Sequence, residues 1–260
     1  MTTTTDLLMV QQLHKAFDGY TAVHDVSFAI QPGQIKALIG PNGAGKTTIL
    51  NMISGVLLPS SGEILLQGVP ISGLPSHRIA ARGIARTFQH VELFQNMSVV
   101  ENVMIGRHLR SRGGLLAAAF PIGYVTTQER RVFTEAMNLL EMVQLADFAQ
   151  YPAGELPFGR QRLLEIARAL ATEPRLLLLD EAASGLSSRE KHELVALIFT
   201  IRQTGVTIFL VDHDMDLVMG ISDEVVVLDH GEKIAEGIPA VVQNDEQVIA
   251  AYLGEELSDA

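Results

Sequence analysis

Gly40-Pro41-Asn42-Gly43-Ala44-Gly45-Lys46-Thr47 has the spacing G-x-x-x-x-G-K-[ST], the pattern of a loop that wraps phosphate. The spacing has a mechanical reason. Glycines let successive backbone N–H groups turn inward around an anion, and a helix that starts at Lys46 adds the partial positive charge of its N-terminus. Lys46 would then reach the β- and γ-phosphates of a nucleotide, while Thr47 offers a hydroxyl to Mg2+. A second chemical element is Leu176-Leu177-Leu178-Leu179-Asp180-Glu181, an apolar run that delivers two adjacent carboxylates where a strand should end, which is where open α/β sheets bind ligands. Asp180 is suited to holding Mg2+ through water. Side chains alternate along a strand, so Glu181 should point elsewhere, to orient or deprotonate an attacking water.

Both motifs require strands to position them. Ile35 to Ile39 reads as the strand that feeds the glycine loop, with a helix from Lys46 stopping at Gly55. Leu176 to Leu179 and Thr207 to Val211 are unbroken apolar runs, as expected of parallel strands covered on both faces. Leu7 to Ile30 predicts antiparallel strands broken at Asp18-Gly19, Gly62 to Gly68 one more strand, and Val225 to Leu228 with Lys233 to Ala235 a closing hairpin across Asp229-His230-Gly231-Glu232. Between Ile79 and Thr172, Val132, Phe133, Ala136, Met137, Leu140 and Val143 recur at helical spacing, which predicts a mostly helical lobe. The expected fold class is α/β.

Composition narrows the classes. The 260 residues are 47% hydrophobic and 19% charged, so the chain can bury a core. Nineteen Lys and Arg against thirty Asp and Glu give a net charge of -11, which argues against a nucleic-acid partner. There is no cysteine, which removes disulfides and thiolate metal sites and suits a reducing cytoplasm. No apolar run reaches the roughly 18 residues of a spanning helix; the least polar stretch, Gly113 to Tyr124, is short and contains Pro121. The opening Met-Thr-Thr-Thr-Thr-Asp does not resemble a secretory signal.

Four further stretches complete a pattern: Lys15-Ala16-Phe17, Thr87-Phe88-Gln89, Leu156-Pro157-Phe158-Gly159-Arg160-Gln161-Arg162, and Val211-Asp212-His213. The order and type of the motifs resemble the nucleotide-binding subunit of an ABC transporter, over residues 7–254, with a helical subdomain at about 90–165 and a tail at 255–260. The resemblance implies a P-loop, RecA-like ATPase core with an N-terminal antiparallel β subdomain and an inserted α-helical subdomain. It implies that Phe17 stacks on adenine, that Asn42, Gly43, Ala44, Gly45, Lys46, Thr47 and Thr48 hold ATP, and that Thr47, Gln89 and Asp180 serve Mg2+. Glu181, His213 and Gln89 would carry catalysis, with Gln89 on the metal and the water and His213 on the γ-phosphate. Pro157, Phe158, Gly159 and Arg160 stand at the family's signature, which presses on ATP held by the opposite subunit of a head-to-tail dimer.

Some positions depart from the commonest family pattern: Pro157 stands for a serine, Arg160 for a glutamine, Ala182 for a proline and Ser187 for an aspartate. None removes a catalytic group, but the γ-phosphate contact across the dimer is put in question. Arg160 either supplies it or lies solvated on the first helical turn, and Pro157 suits the first residue of a helix. Pro157-Phe158, together with Gly83 to Gln89, Leu163 to Leu170 and Ala250 to Gly254, resembles the subfamily serving branched-chain amino acid importers; Arg107 to Gln128 resembles the insertion of the larger of its paired ATPase subunits. The implied partners are integral membrane permease subunits, a second ATP-binding subunit and, indirectly, a solute-binding protein, at the cytoplasmic face of the inner membrane. The permease should dock between Gln89 and about His108, where Val91, Leu93, Phe94, Met97, Val99 and Val103 cluster. The alternatives are an ABC ATPase for another cargo (urea, amides, or exported lipid) and a soluble ABC ATPase or small-molecule kinase. The soluble type carries two cassettes or a long coiled coil before the signature, and here Gln89 and Gly159 are only 70 positions apart. The signature and His213 argue against a kinase.

Overall fold

The computed structural model describes residues 6–89, 91–108 and 122–258. β1 (Leu8–Phe17) and β2 (Tyr20–Ile30) form a hairpin. Its turn, Asp18 (φ 38°) and Gly19 (φ 95°), has the two left-handed residues whose twist matches that of antiparallel strands. β3 (Ile35–Ile39) leads through the glycine loop into α1 (Lys46–Ile53). β4 (Ser61–Leu66) and β5 (Val69–Pro70) complete an antiparallel sheet of order β2-β1-β4-β5. Next in the chain are α2 (Ser76–Ala81), β6 (Ile84–Arg86), α3 (Val99–His108), α4 (Ile122–Met142) and α5 (Phe158–Leu170). Then come β7 (Leu176–Asp180), α6 (Ser188–Gln203), β8 (Thr207–Val211), α7 (Met215–Ile221), β9 (Glu224–Asp229), β10 (Glu232–Gly237), α8 (Pro239–Val242) and α9 (Glu246–Ser258). The second sheet has the order β10-β9-β3-β8-β7-β6, parallel except for β10.

The central strands are apolar throughout because both faces are covered. Ile35, Ala37, Ile39, Leu177, Leu179, Ile208 and Leu210 face the core shared with α3 to α7. Their neighbours Leu38, Leu176, Leu178, Phe209 and Val211 face the other core, shared with the antiparallel sheet and α1, as alternation along a strand requires. Gly106 of α3 lets α5 approach: a Cβ there would lie 2.2 Å from the Arg168 carbonyl oxygen.

The segment from Ile79 to Thr172 is not helical throughout, because β6 pairs with β7 in the main sheet and the lobe is built only from residues beyond that strand. The expected end of the domain at Gly254 falls inside α9. Of the Arg107 to Gln128 insertion, residues 109–121 lie outside the described residues.

Candidate nucleotide site

β3, β8 and β7 run in register, with Leu38 and Asp180 both level with Val211. Their C-terminal ends therefore present Gly40, Asp180 and Asp212 along one edge, and β6, paired through Arg86 with Leu178, adds Thr87 to Gln89. The glycine loop is walled on two sides. A Cβ on Gly40 (φ 149°) would lie 2.2 Å from the Leu228 carbonyl oxygen, and one on Gly45 (φ 101°) 2.5 Å from that of Ala22. No other residue fits either place. The turn joining β9 to β10 closes the wall, with Gly231 N–H donating to the Ala44 carbonyl at 3.1 Å.

α1 starts without a side-chain cap or an acidic residue in its first turn, so nothing acidic on the helix competes with an anion at its N-terminus. Lys46 Nζ donates to the carbonyls of Gly40 at 2.6 Å and Pro41 at 2.8 Å, which folds the ammonium over the loop. Thr47 and Thr48 occupy the first turn of α1, and Asn42, Gly43 and Ala44 the loop. This cradle of close-packed glycines and a lysine fits a polyphosphate.

The carboxylates differ in their surroundings. Asp180 is buried and pairs with Arg86 (Nη2 to Oδ2, 2.8 Å). Arg86 also donates to Asn51 Oδ1 at 2.7 Å and Ser54 Oγ at 2.9 Å, fastening the end of β7 to the helix after the phosphate loop. Glu181 lies beyond β7, so strand alternation does not set its direction; its backbone is in the left-handed region (φ 47°), a conformation that costs about 1–3 kcal/mol and gathers at functional sites. Its N–H donates to the Val211 carbonyl at 2.7 Å, and its Oε2 accepts from Gln89 Nε2 at 2.8 Å. Asp212 is buried and accepts from the backbone N–H groups of Ala183, His213 and Asp214 at 3.0, 2.9 and 3.1 Å. It thereby stitches the loop after β8 to the loop after β7 and leaves the His213 ring exposed at the edge. A carboxylate, an amide and a hydroxyl around a phosphate cradle suit the oxygen donor set of Mg2+, which keeps water and phosphate ligands and takes one or two carboxylates from protein.

The signature lies at the start of α5. Pro157 caps the helix, one position earlier than expected, and Phe158 begins it. Gly159 is buried where a Cβ would meet Glu190 Oε1 at 2.1 Å. Phe158 is exposed beside Gly185, whose Cβ would lie 3.0 Å from Phe158 Cε1. Arg160 is exposed, and its guanidinium sits 4.0 Å from the centroid of the Phe148 ring. Phe17 is 44% exposed at the end of β1, with Lys15 Nζ 4.9 Å from its ring centroid. Its open face is suited to stacking.

An apolar groove of about 880 Å³ opens beside the Thr87 to Gln89 loop, lined by Val56, Ile79, Phe88, Phe94, Met97 and Met104 among others. Of the cluster expected there, only Phe94 and Met97 line it. Val99 and Val103 are fully buried and Leu93 packs against the same core, since α3 turns its apolar face inward. The sequence reading missed the wall from Val56 and α2, together with Arg86, Asp212 and Gly231. Their only signal is residue type: Arg86 and Gly231 act through partners distant in the chain, and Asp212 joins its own loop to the distant Ala183.

The glycine loop between β3 and α1, with acidic residues at the end of β7, a parallel strand separated from β3 by β8, defines a P-loop NTPase. The ABC transporter family model matches residues 23–184, and that of the branched-chain amino acid ATP-binding cassette transporter matches residues 232–258. The chain is 44% identical over 250 residues to the high-affinity branched-chain amino acid transport ATP-binding protein BraF of Pseudomonas aeruginosa, covering 96% of this chain and 98% of that protein. LivG of Escherichia coli K12, named for the same transport, is 42% identical with the same coverage. Among solved structures, the ADP conformation of MJ1267, an ATP-binding cassette of an ABC transporter, superposes with a TM-score of 0.84 at 30% identity, covering 96% of this chain and 99% of that one. The chain belongs to the ABC transporter ATP-binding proteins and is an ATPase. Among the described residues no helix is long and apolar enough to cross a membrane.

Proposed function

We propose that the chain is the ATP-hydrolysing subunit of an importer of branched-chain amino acids or related small polar solutes. It would act at the cytoplasmic face of the inner membrane, docked on permease subunits that receive solute from a binding protein. The observation that carries the reading is the edge where β3, β6, β7 and β8 bring the glycine loop, Gln89, Glu181 and His213 together, with Gln89 bonded to Glu181 at 2.8 Å. The names and near-complete coverage of the relatives support the cargo class.

In this reading Phe17 stacks on adenine, and the amides from Asn42 to Thr48 with the Lys46 ammonium hold the phosphates. Thr47, Asp180 and Gln89 would hold Mg2+, which when bound would neutralise charge on the phosphates. Glu181 takes a proton from water as it attacks the γ-phosphorus, the bond to the bridging oxygen breaks toward ADP, and His213 contacts the γ-phosphate. Pro157 to Arg160 face the nucleotide of a second ATP-binding subunit, packed head to tail. The groove beside Phe94 and Met97 takes a cytoplasmic segment of the permease, its apolar lining matching an amphipathic helix.

The test uses the full chain co-expressed with candidate permease subunits from the same organism. Glu181→Gln should bind ATP as wild type does and lose about 100-fold or more in hydrolysis, whereas Lys46→Ala should lose nucleotide binding itself. Phe94→Asp should still bind ATP but fail to co-purify with the permease. Hydrolysis by Glu181→Gln at the wild-type rate would remove Glu181 from its role. Uptake of urea or amides in place of branched-chain amino acids by the wild-type assembly would reassign the cargo.

A further inference from the structure

α5 carries two buried charges whose hydrogen bonds go mainly to main-chain atoms of an exposed loop. Arg162 and Glu165 are 3% and 2% exposed and pair at 3.3 Å. Arg162 Nη1 donates to the Phe88 carbonyl at 2.5 Å and Nη2 to the Gln89 carbonyl, while Glu165 Oε1 accepts the Phe88 N–H at 3.0 Å. Phe88 and Gln89 themselves are exposed. The same guanidinium lies 5.5 Å from the centroid of Phe158, the first residue of α5. One side chain thus joins the signature end of α5 to the loop that carries Gln89, and Gln89 in turn bonds Glu181.

A buried ion pair gains little for fold stability over apolar residues of the same volume, and α5 already buries Leu164, Ile166 and Ala167 on the core side. What the pair does, and apolar residues could not do, is fix the carbonyls and the N–H of one dipeptide. Resting on the reading of Gln89 and Glu181 above, we propose that Arg162 and Glu165 are positioning residues that couple the place of α5 to the place of Gln89. Without either side chain the Phe88–Gln89 backbone would lose its fixed place, and the Gln89 amide its position against Glu181. Glu165 also lines the apolar groove together with Phe88, so an occupant of the groove would press on the same junction.

A double-mutant cycle on the full chain tests this, with Mg2+-ATP hydrolysis followed by radiolabelled phosphate release and melting temperature recorded for every variant. Arg162→Met should lower kcat by about 10-fold or more, the scale of a small misplacement of a reacting group, with KM for ATP moving by less than about two-fold. If Arg162 acts through Gln89, that loss should shrink to within about two-fold in a Gln89→Ala background, since non-additivity marks residues acting as a unit. The full loss in both backgrounds, or wild-type kcat in Arg162→Met, would overturn the proposal. Should Arg162→Met not fold, Glu165→Gln keeps an acceptor for the Phe88 N–H while removing the charge opposite Arg162, and the same cycle is run with it. A folded wild-type chain that does not hydrolyse ATP would instead overturn the reading on which the proposal rests.

Discussion

Two buried arginine–carboxylate pairs flank the site, and they hold different kinds of object. Arg86 and Asp180, 2.8 Å apart, lie within one body: β6 supplies the arginine, β7 the aspartate, and α1 the further acceptors Asn51 and Ser54. Arg162 and Glu165 both belong to α5, and their other bonds reach the backbone of Phe88 and Gln89. The first pair fixes a carboxylate against the sheet and has no loop to move. The second makes the place of a loop depend on a helix. A buried charge pair is therefore informative less by its burial than by the object its remaining hydrogen bonds hold.

The largest effect should come from breaking the first pair. Arg86→Met leaves the Asp180 carboxylate buried without its partner, along with the Asn51 and Ser54 oxygens, and should cost about 3–5 kcal/mol of stability. In a chain of this size that lowers Tm by about 5–10 °C, measurable by calorimetry. Arg162→Met should cost less, because the partner it abandons is already inclined to take a proton: burial pushes Glu165 above the ordinary carboxylate range, against the opposing pull of the Phe88 N–H and Arg162. Equal losses of Tm in the two variants would erase the distinction between the pairs.

The raised value at Glu165 gives a second, smaller test, with a definite sign. A carboxyl whose folded-state pKa is raised holds its proton more tightly when folded, so its contribution is complete below the ordinary glutamate range and is lost as pH rises through the folded value. Glu165→Gln lacks that titration. Urea unfolding of wild type and Glu165→Gln between about pH 5 and pH 8 should show wild type losing ground to the variant as pH rises. A gap that widens in favour of wild type would mean that Arg162 and the Phe88 N–H outweigh burial.

The phosphate loop was legible in sequence because it is local: residues 40–47 and the apolar runs beside them contain the turn, the charge and the strand that the chemistry needs. The carboxylates at the end of β7 were legible for the same reason. What held them was not, since Arg86 and Asp180 stand 94 positions apart and β6 has only three residues, too few for a periodic signal inside a helical stretch. Phe94, Met97, Val99 and Val103 form one apolar cluster in sequence. They divide in the fold because α3 begins at Val99 and turns inward, burying the last two and leaving the first two on the groove. The groove's other wall, from Val56 and α2, is brought there by tertiary packing alone.

Arg160 gives the smallest expected effect and separates two roles that its position in the signature leaves open. Its guanidinium lies over Phe148 at 4.0 Å, and a cation–π contact at an exposed site contributes about 0.5–1 kcal/mol. If that is its whole role, Arg160→Ala should lower stability by that amount, Arg160→Lys should recover part of it because an ammonium also binds a ring face, and both should dimerise with ATP as wild type does. If Arg160 leaves Phe148 on dimerisation to meet the opposite γ-phosphate, a contact that Pro157 cannot make for want of a hydroxyl, then Arg160→Ala should weaken ATP-driven dimerisation while the monomer binds nucleotide unchanged. The ring already competes for the guanidinium, so Phe148→Leu should in that case strengthen dimerisation, by freeing the arginine. Analytical ultracentrifugation of the three variants in the Glu181→Gln background, where hydrolysis does not deplete the dimer, reads both outcomes. Dimerisation that responds to neither Arg160→Ala nor Phe148→Leu would confine Arg160 to the packing of α5 against the Phe148 turn.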